Sequence, residues 1–210
     1  MGTLLHDLLW ERCSGLARRC LEHPFVRGLG DGSLSVEAFR RYVAQDAYYL
    51  RAFLHAYAVC TARSTDLEMA ATLVDLQRGT LEELKLHASY ARELRIDLDS
   101  VQPHPAASAY CDYLERTAWH EGIELAIAAM TPCLRLYEYL GKELARDGVP
   151  GHRYAEWIRT YSSEDYARHV RRMEVLLDGV AGDTPAVEDR YRYAMRCEID
   201  FFTAPLEEQR

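Results

Sequence analysis

Apolar residues recur along this chain at intervals of three and four, the period of one face of a helix, and no apolar–polar alternation runs longer than four residues. Leu4, Leu5, Leu8, Leu9, Leu16 and Cys20 trace the first stripe. Pro24 ends it by biasing His23 away from helical geometry. The run Gly28-Leu29-Gly30-Asp31-Gly32 reads as a turn. Ser35 is placed to cap a long helix over about 36–62, with Glu37 in its first turn. A second long helix starts at Thr65 or Asp66 and runs to about 94, with a break expected at Gly79. Residues 97–105 form a connector, and 147–151 a turn. Further helices are predicted over 106–116, 122–146, 154–160, 164–180 and 185–202, followed by a polar, frayed tail after about 205. The pattern predicts an all-α, single-domain bundle over 1–210 with seven or eight helices, each burying one stripe. Such a bundle can hold a pocket between helices.

Composition narrows the functional classes. With 210 residues, 49% hydrophobic and 28% charged, the chain is neither disordered nor fibrous. Its 25 basic against 33 acidic residues give a net charge of -8, whereas nucleic-acid binding needs a concentrated basic surface; no nucleic-acid partner is expected. The six cysteines are widely spaced and no C-x-x-C occurs, so zinc-ribbon and thioredoxin-like motifs are absent. No apolar leader segment is expected, since Asp7 interrupts the start, and no uncharged apolar stretch reaches 18 residues, so no membrane span is expected either. Free thiols in a cytoplasmic setting are the expectation.

Chemistry-bearing residues cluster on a few helical faces. Fourteen tyrosines against five phenylalanines and three tryptophans is a biased count, and a buried tyrosine needs a partner for its hydroxyl. Asp46 shares a face with Tyr42, Tyr49 and Phe53; it is either a structural or solvated carboxylate or a ligand contact. Pro132 interrupts an otherwise ideal helix and is expected to kink it at Cys133, with Tyr137 one turn on. Cys133 is then either a buried small hydrophobe or a reactive thiol. Glu198 shares a face with Phe201 and Phe202 and is otherwise a surface acid. Glu83 with His87, and His120 with Glu124, could touch a metal, but surface pairing one turn apart accounts for both. His23 and His55 give little support for heme. The glycines at 28, 30 and 32 lack a preceding strand and the third glycine of a dinucleotide fingerprint, and there is no G-x-S-x-G, H-E-x-x-H or P-loop.

Taken together, His23-Pro24-Phe25-Val26, the glycine run, Phe39 with Tyr42, Gln45-Asp46-Ala47-Tyr48-Tyr49-Leu50, Pro132-Cys133 with Tyr137, Trp157-Ile158 before Thr160-Tyr161, and Glu198 with Phe201 resemble the TenA family, in order and in separation. That family comprises thiaminase II and aminopyrimidine aminohydrolases on a heme-oxygenase-like all-α fold. The resemblance implies catalytic roles for Cys133, Glu198 and Asp46, and substrate contacts from Tyr49, Tyr110, Tyr137, Tyr161 and Phe201. Presence of Cys133 implies the cysteine-containing branch. Tyr137 and Tyr161 are expected to hydrogen-bond near the thiol. The implied reaction cleaves the exocyclic methylene C–N bond of an aminopyrimidine, either thiamin or its aminomethylpyrimidine salvage fragment, to give hydroxymethylpyrimidine, with no metal or organic cofactor. The implied assembly is a homotetramer. Phe202 stands where a tryptophan is common in the family, and Glu121 and Glu124 could enter the pocket and alter its substrate. Two alternatives fit the same fold: a metal-dependent oxidase, and a non-catalytic pyrimidine-binding or regulatory protein.

Overall fold

The computed structural model describes residues 3–207. Nine α-helices follow one another: α1 (Leu5–Leu21), α2 (Pro24–Asp31), α3 (Val36–Arg63), α4 (Leu67–Glu93), α5 (Pro105–His120), α6 (Ile123–Leu144), α7 (Ala155–Tyr161), α8 (Glu164–Val180) and α9 (Pro185–Thr203). A 3-10 turn over Ala204–Leu206 follows, and no strand occurs among the described residues.

Local chemistry explains most helix starts. Ser35 accepts from the Ala38 amide and Asp66 from those of Glu68 and Met69, each relieving orphan donors of the first turn. Three helices open on proline, where the missing N–H costs nothing: Pro24, Pro105 and Pro185. Two of these are capped by the preceding imidazole, His23 Nδ1 accepting from Phe25 and His104 Nδ1 from Ala106, both at 3.2 Å.

The expectation of a turn at 28–32 is corrected. Gly28 and Gly30 lie inside α2, and only Gly32 leaves the helix, in the left-handed conformation at φ 79°. Glycine serves here for close approach: a Cβ on Gly28 would meet the Leu34 backbone at 3.0 Å, and the Gly28 carbonyl accepts from the Leu34 amide. This helix brings the count among the described residues to nine, against about seven or eight expected. The expected break at Gly79 is also absent; α4 is continuous, with Gly79 giving room to the His169 ring of α8. Helix α5 runs one turn past its expected end. Ala204 and Pro205 are buried and Arg41 Nε donates to the Pro205 carbonyl at 2.8 Å, so the chain is held to the bundle up to where the expected tail begins, and Leu206 and Glu207 are exposed. The remainder of the expected tail, 208–210, lies outside the described residues.

Helix α3 packs mainly on α4 and α5, while α6 packs on α7, α8 and α9. These two layers enclose one contiguous core that includes Tyr42, Tyr49, Phe53, Tyr110, Cys133, Tyr137, Trp157, Tyr161, Phe201 and Phe202. Helix α6 passes unbroken through Pro132, which has no N–H for the Ala128 carbonyl, and Thr131 Oγ1 donates to the Ile127 carbonyl beside it at 2.7 Å. The closest approach of a glycine to the backbone of another helix is at Gly141, where a Cβ would lie 2.4 Å from the Tyr161 carbonyl carbon.

Backbone at that contact cannot yield as a side-chain tip would. Gly141→Ala should therefore destabilise the fold by about 1–3 kcal/mol and lower the denaturant midpoint. An unchanged midpoint would contradict the packing described between α6 and α7.

Candidate active site

Six helices contribute to one buried cluster. The inward face of α3 presents Tyr42, Asp46, Tyr49 and Phe53, as the three- and four-residue spacing dictates. Helix α6 brings Cys133 and Tyr137, α9 brings Glu198 and Phe201, α5 brings Tyr110, α7 brings Trp157 and Tyr161, and α4 brings Glu83 and His87. Asp46 is 3% exposed, Glu198 1% and His87 0%. A surface reading of Glu198 and a solvated reading of Asp46 are thereby excluded.

Aromatic rings wall the cluster. Tyr49 packs on Tyr110 with centroids 4.8 Å apart and on Phe201 at 5.7 Å. Tyr137 packs on Tyr161 at 4.9 Å and on Trp157 at 5.8 Å. The hydroxyls form one chain and two separate pairs. Trp157 Nε1 donates to the Tyr42 hydroxyl, which donates to that of Tyr137, each at 3.3 Å. Separately, Tyr161 donates to Glu83 Oε1 at 2.6 Å and Tyr110 to Glu198 Oε1 at 2.9 Å. The hydroxyls of Tyr137 and Tyr161, expected to hydrogen-bond near the thiol, are thus bonded to Tyr42 and Glu83. The hydroxyl beside Cys133 is that of Tyr49, which is buried and has no hydrogen-bond partner among the described residues. A buried orphan hydroxyl is rare, and a ligand atom would satisfy it.

Electrostatics divide the cluster into an acidic and a neutral half. Burial pushes Glu198 up to about 8; the nearby Asp46 adds to the effect, and the Tyr110 hydrogen bond and the thiol oppose it. At neutral pH Glu198 is therefore a carboxylic acid able to give a proton. Burial, then the negative potential of Glu198, also holds the Cys133 thiol well above its ordinary value. The thiolate is not preformed, and its proton must leave as the sulfur attacks. Burial likewise raises Glu83, to about 7, against the opposing pull of His87.

His87 and Glu83 are not the surface pair that their spacing suggests. The reason is orientation: α4 turns this face toward α3, where Asp46 waits. His87 Nε2 lies 2.5 Å from Asp46 Oδ2, and Nδ1 lies 2.9 Å from the Glu83 carbonyl oxygen. The Nε2–H direction is off the line to the carboxylate oxygen, so this contact is an ion pair more than an aligned hydrogen bond. Burial alone would lower His87, but attraction to Asp46 and Glu83 outweighs it and raises the imidazole to about 9. Sequence spacing could not reveal this, because the partner of His87 comes from another helix.

Other sequence candidates lie away from the cluster. Glu121 is clasped by Arg190, at 2.7 Å, and by Arg116, at 3.1 Å, so its carboxylate ties the end of α5 to α9. The Glu124 carboxylate folds back over Gly122 at the start of α6, and His120 and His55 are exposed. His23 is spent as a helix cap. On the opposite side, Glu83 and Tyr166 border an open groove of about 710 Å³ between α4 and α8, which brings the surface to the edge of the cluster.

Comparison with known proteins places this architecture. The chain is 33% identical over 166 residues to the aminopyrimidine aminohydrolase of Halalkalibacterium halodurans, covering 75% of this chain and 73% of that protein. It is 31% identical over 223 residues to the bifunctional TH2 protein, mitochondrial, of Arabidopsis thaliana, covering 93% of this chain; the chain spans only 36% of the length of that plant protein. Among solved structures, the TenA homologue of P. horikoshii OT3 superposes with a TM-score of 0.87 at 26% identity, covering 97% of this chain and 98% of that one. The TENA/THI-4/PQQC family model matches residues 10–208, nearly the whole chain, and this protein is a member of that family.

Proposed function

We propose that the buried cluster hydrolyses the bond between the exocyclic methylene of a 4-aminopyrimidine and its amine or thiazolium substituent, releasing hydroxymethylpyrimidine. The observation that carries this reading is the convergence of the Cys133 thiol, the protonated Glu198 carboxyl and the orphan Tyr49 hydroxyl in an aromatic-walled core that also holds the Asp46 carboxyl. Flat walls from Tyr49, Tyr110, Tyr137 and Phe201 suit a planar heteroaromatic ring. Tyr161 reaches this ring through Tyr137 and holds Glu83 at the groove side.

Water displaces poorly at a methylene on an electron-poor ring. Addition of sulfur to ring carbon C6 removes the aromaticity and solves the problem. The thiol gives up its proton as the S–C6 bond forms, and the electron pair of the ring goes to nitrogen N1. Glu198 donates its proton to N1 and takes up that of the thiol, so charge in the apolar core is conserved across the step. The 4-amino nitrogen then pushes its lone pair through C4 and C5, and the C–N bond to the substituent breaks, its electron pair leaving with a neutral thiazole or, from the protonated aminomethyl group, with neutral ammonia. Water adds to the exposed methylene and loses a proton. Reversal of the first step expels sulfur and restores the aromatic ring. Asp46 accepts from the 4-amino group and fixes the orientation of the ring. Hydrolysis of thiamin or of its aminomethylpyrimidine fragment follows the same course, since both share the pyrimidine half.

A homotetrameric assembly and a cytoplasmic setting belong to the same proposal. Leu67, Trp119 and Val175 are exposed apolar side chains of the kind that interfaces bury.

Incubation with 4-amino-5-aminomethyl-2-methylpyrimidine should release the hydroxymethyl product and ammonia; no product, with intact fold, would refute the reading. Cys133→Ser should lower kcat by at least about a hundredfold. Glu198→Gln should cut kcat comparably with a smaller change in KM, and the wild-type rate should fall as pH rises past about 8, where Glu198 loses its proton. Normal turnover in either variant defeats the role assigned to that residue. The same Glu198→Gln protein provides its own folding control. A carboxyl raised in the folded state contributes stability at low pH that is lost as pH climbs from about 5 through about 8. The variant should therefore gain Tm over the wild type as pH rises across that window, by about 2–4 °C per kcal/mol. A Tm difference independent of pH would contradict the buried-acid assignment.

A further inference from the structure

We propose that His87 is a positioning residue: as a buried imidazolium it holds Asp46 in the carboxylate form and occupies one of its two oxygens, leaving the other for the substrate amino group. The proposal rests on the reading of Asp46 as the pyrimidine-orienting acid and explains how that acid is kept in the form its task requires.

The geometry leaves little choice of protonation state. The Glu83 carbonyl oxygen can only accept, so Nδ1, 2.9 Å away, carries a hydrogen. Nε2 sits 2.5 Å from Asp46 Oδ2, a separation at which a lone pair facing a carboxylate is repulsive. The two groups therefore carry one proton between them, on the imidazole or on the carboxyl. With Nδ1 already protonated, placing it on Nε2 gives an imidazolium–carboxylate pair, and both partners are almost wholly removed from water.

The surroundings favour that state. Asp46 and Tyr42 face the pair from α3, Glu83 and Tyr90 from α4, Cys111 from α5, Cys133 and Tyr137 from α6, Tyr161 from α7 and Glu198 from α9, and Tyr166 of α8 stands behind Glu83. No lysine or arginine is among them, so His87 is the cation of this cluster. Burial drives Glu83 and Glu198 toward their neutral forms. The carboxyl facing His87 is thereby marked as the anion. An anionic Asp46 with Oδ2 engaged accepts through Oδ1. A carboxylate in this state accepts from the substrate amino group and has no proton to donate to the neighbouring ring nitrogen.

Nitrogen-15 spectra of histidine-labelled wild-type protein at pH 7.5 test this without any activity. The His87 signals are assigned by protection from hydrogen exchange and by contacts with the Tyr90 ring, which stands edge-on at 6.0 Å. Both ring nitrogens should be protonated at a pH where an ordinary histidine is neutral; a neutral ring at pH 7.5 overturns the proposal. Kinetics with the aminomethylpyrimidine supply a second readout. His87→Gln keeps a neutral donor, and His87→Leu keeps none. KM should rise about tenfold in the first and about a hundredfold in the second, with kcat changed less. Equal KM in variant and wild type contradicts the positioning role. If the wild type neither turns over nor binds the aminopyrimidine, the enzymatic reading fails, while the spectra still decide the state of His87.

Discussion

An apolar core tolerates an ionised group only when a partner compensates it, and the site cluster gathers three carboxyl groups, on Asp46, Glu83 and Glu198, with a single imidazole among them. That imbalance decides the behaviour of the whole cluster. The carboxyl touching His87 can remain charged. Glu198, supported by a tyrosine hydroxyl and the thiol but facing no cation of its own, is driven toward the neutral acid. The cysteine beside it stays a thiol for the same reason. In the proposed reaction one side of the cluster would bind with a fixed charge, and the other would move protons without creating net charge.

The helical frame serves this division. Acid and histidine come from α3 and α4, which pack against each other over much of their length, whereas thiol and proton donor come from α6 and α9, another closely packed pair. A planar ligand held between the two pairs would meet the orienting group along one edge and the reacting groups along the other. Pro132 immediately precedes the thiol and deprives the Ala128 carbonyl of its usual donor, a local cost that plain scaffolding has no reason to carry. The aromatic hydroxyl chain from Trp157 through Tyr42 to Tyr137 fixes the rings between the pairs.

Most of this frame is legible in the sequence. Ser35 marks the start of α3, and the spacing of Tyr42, Asp46, Tyr49 and Phe53 reports its inward face, because capping and periodicity are local properties. The boundaries of α8 follow from the pattern for the same reason. Two features escape it. Glycines at 28 and 30 signal a turn on local grounds, yet they serve contacts with Leu34 and Leu144 that only the folded chain supplies. His87 with Glu83 reads as a solvent-side pair, since spacing shows that two residues share a face and not which way the face points. Its true partner, Asp46, lies on a different helix, and no local signal connects them. Glu121 errs in the opposite sense: a suspected pocket acid is an arginine-clasped strut.

The central claim is that the two halves of the cluster grip opposite edges of one planar ring. A crystal structure with 4-amino-5-hydroxymethyl-2-methylpyrimidine bound tests it most directly. The account predicts the ring lodged among Tyr49, Tyr110 and Phe201, its amino group on Asp46 Oδ1, N1 at Glu198 and C6 facing Cys133 Sγ. A pyrimidine seated instead in the groove between α4 and α8, with Cys133 and Glu198 untouched, would contradict it.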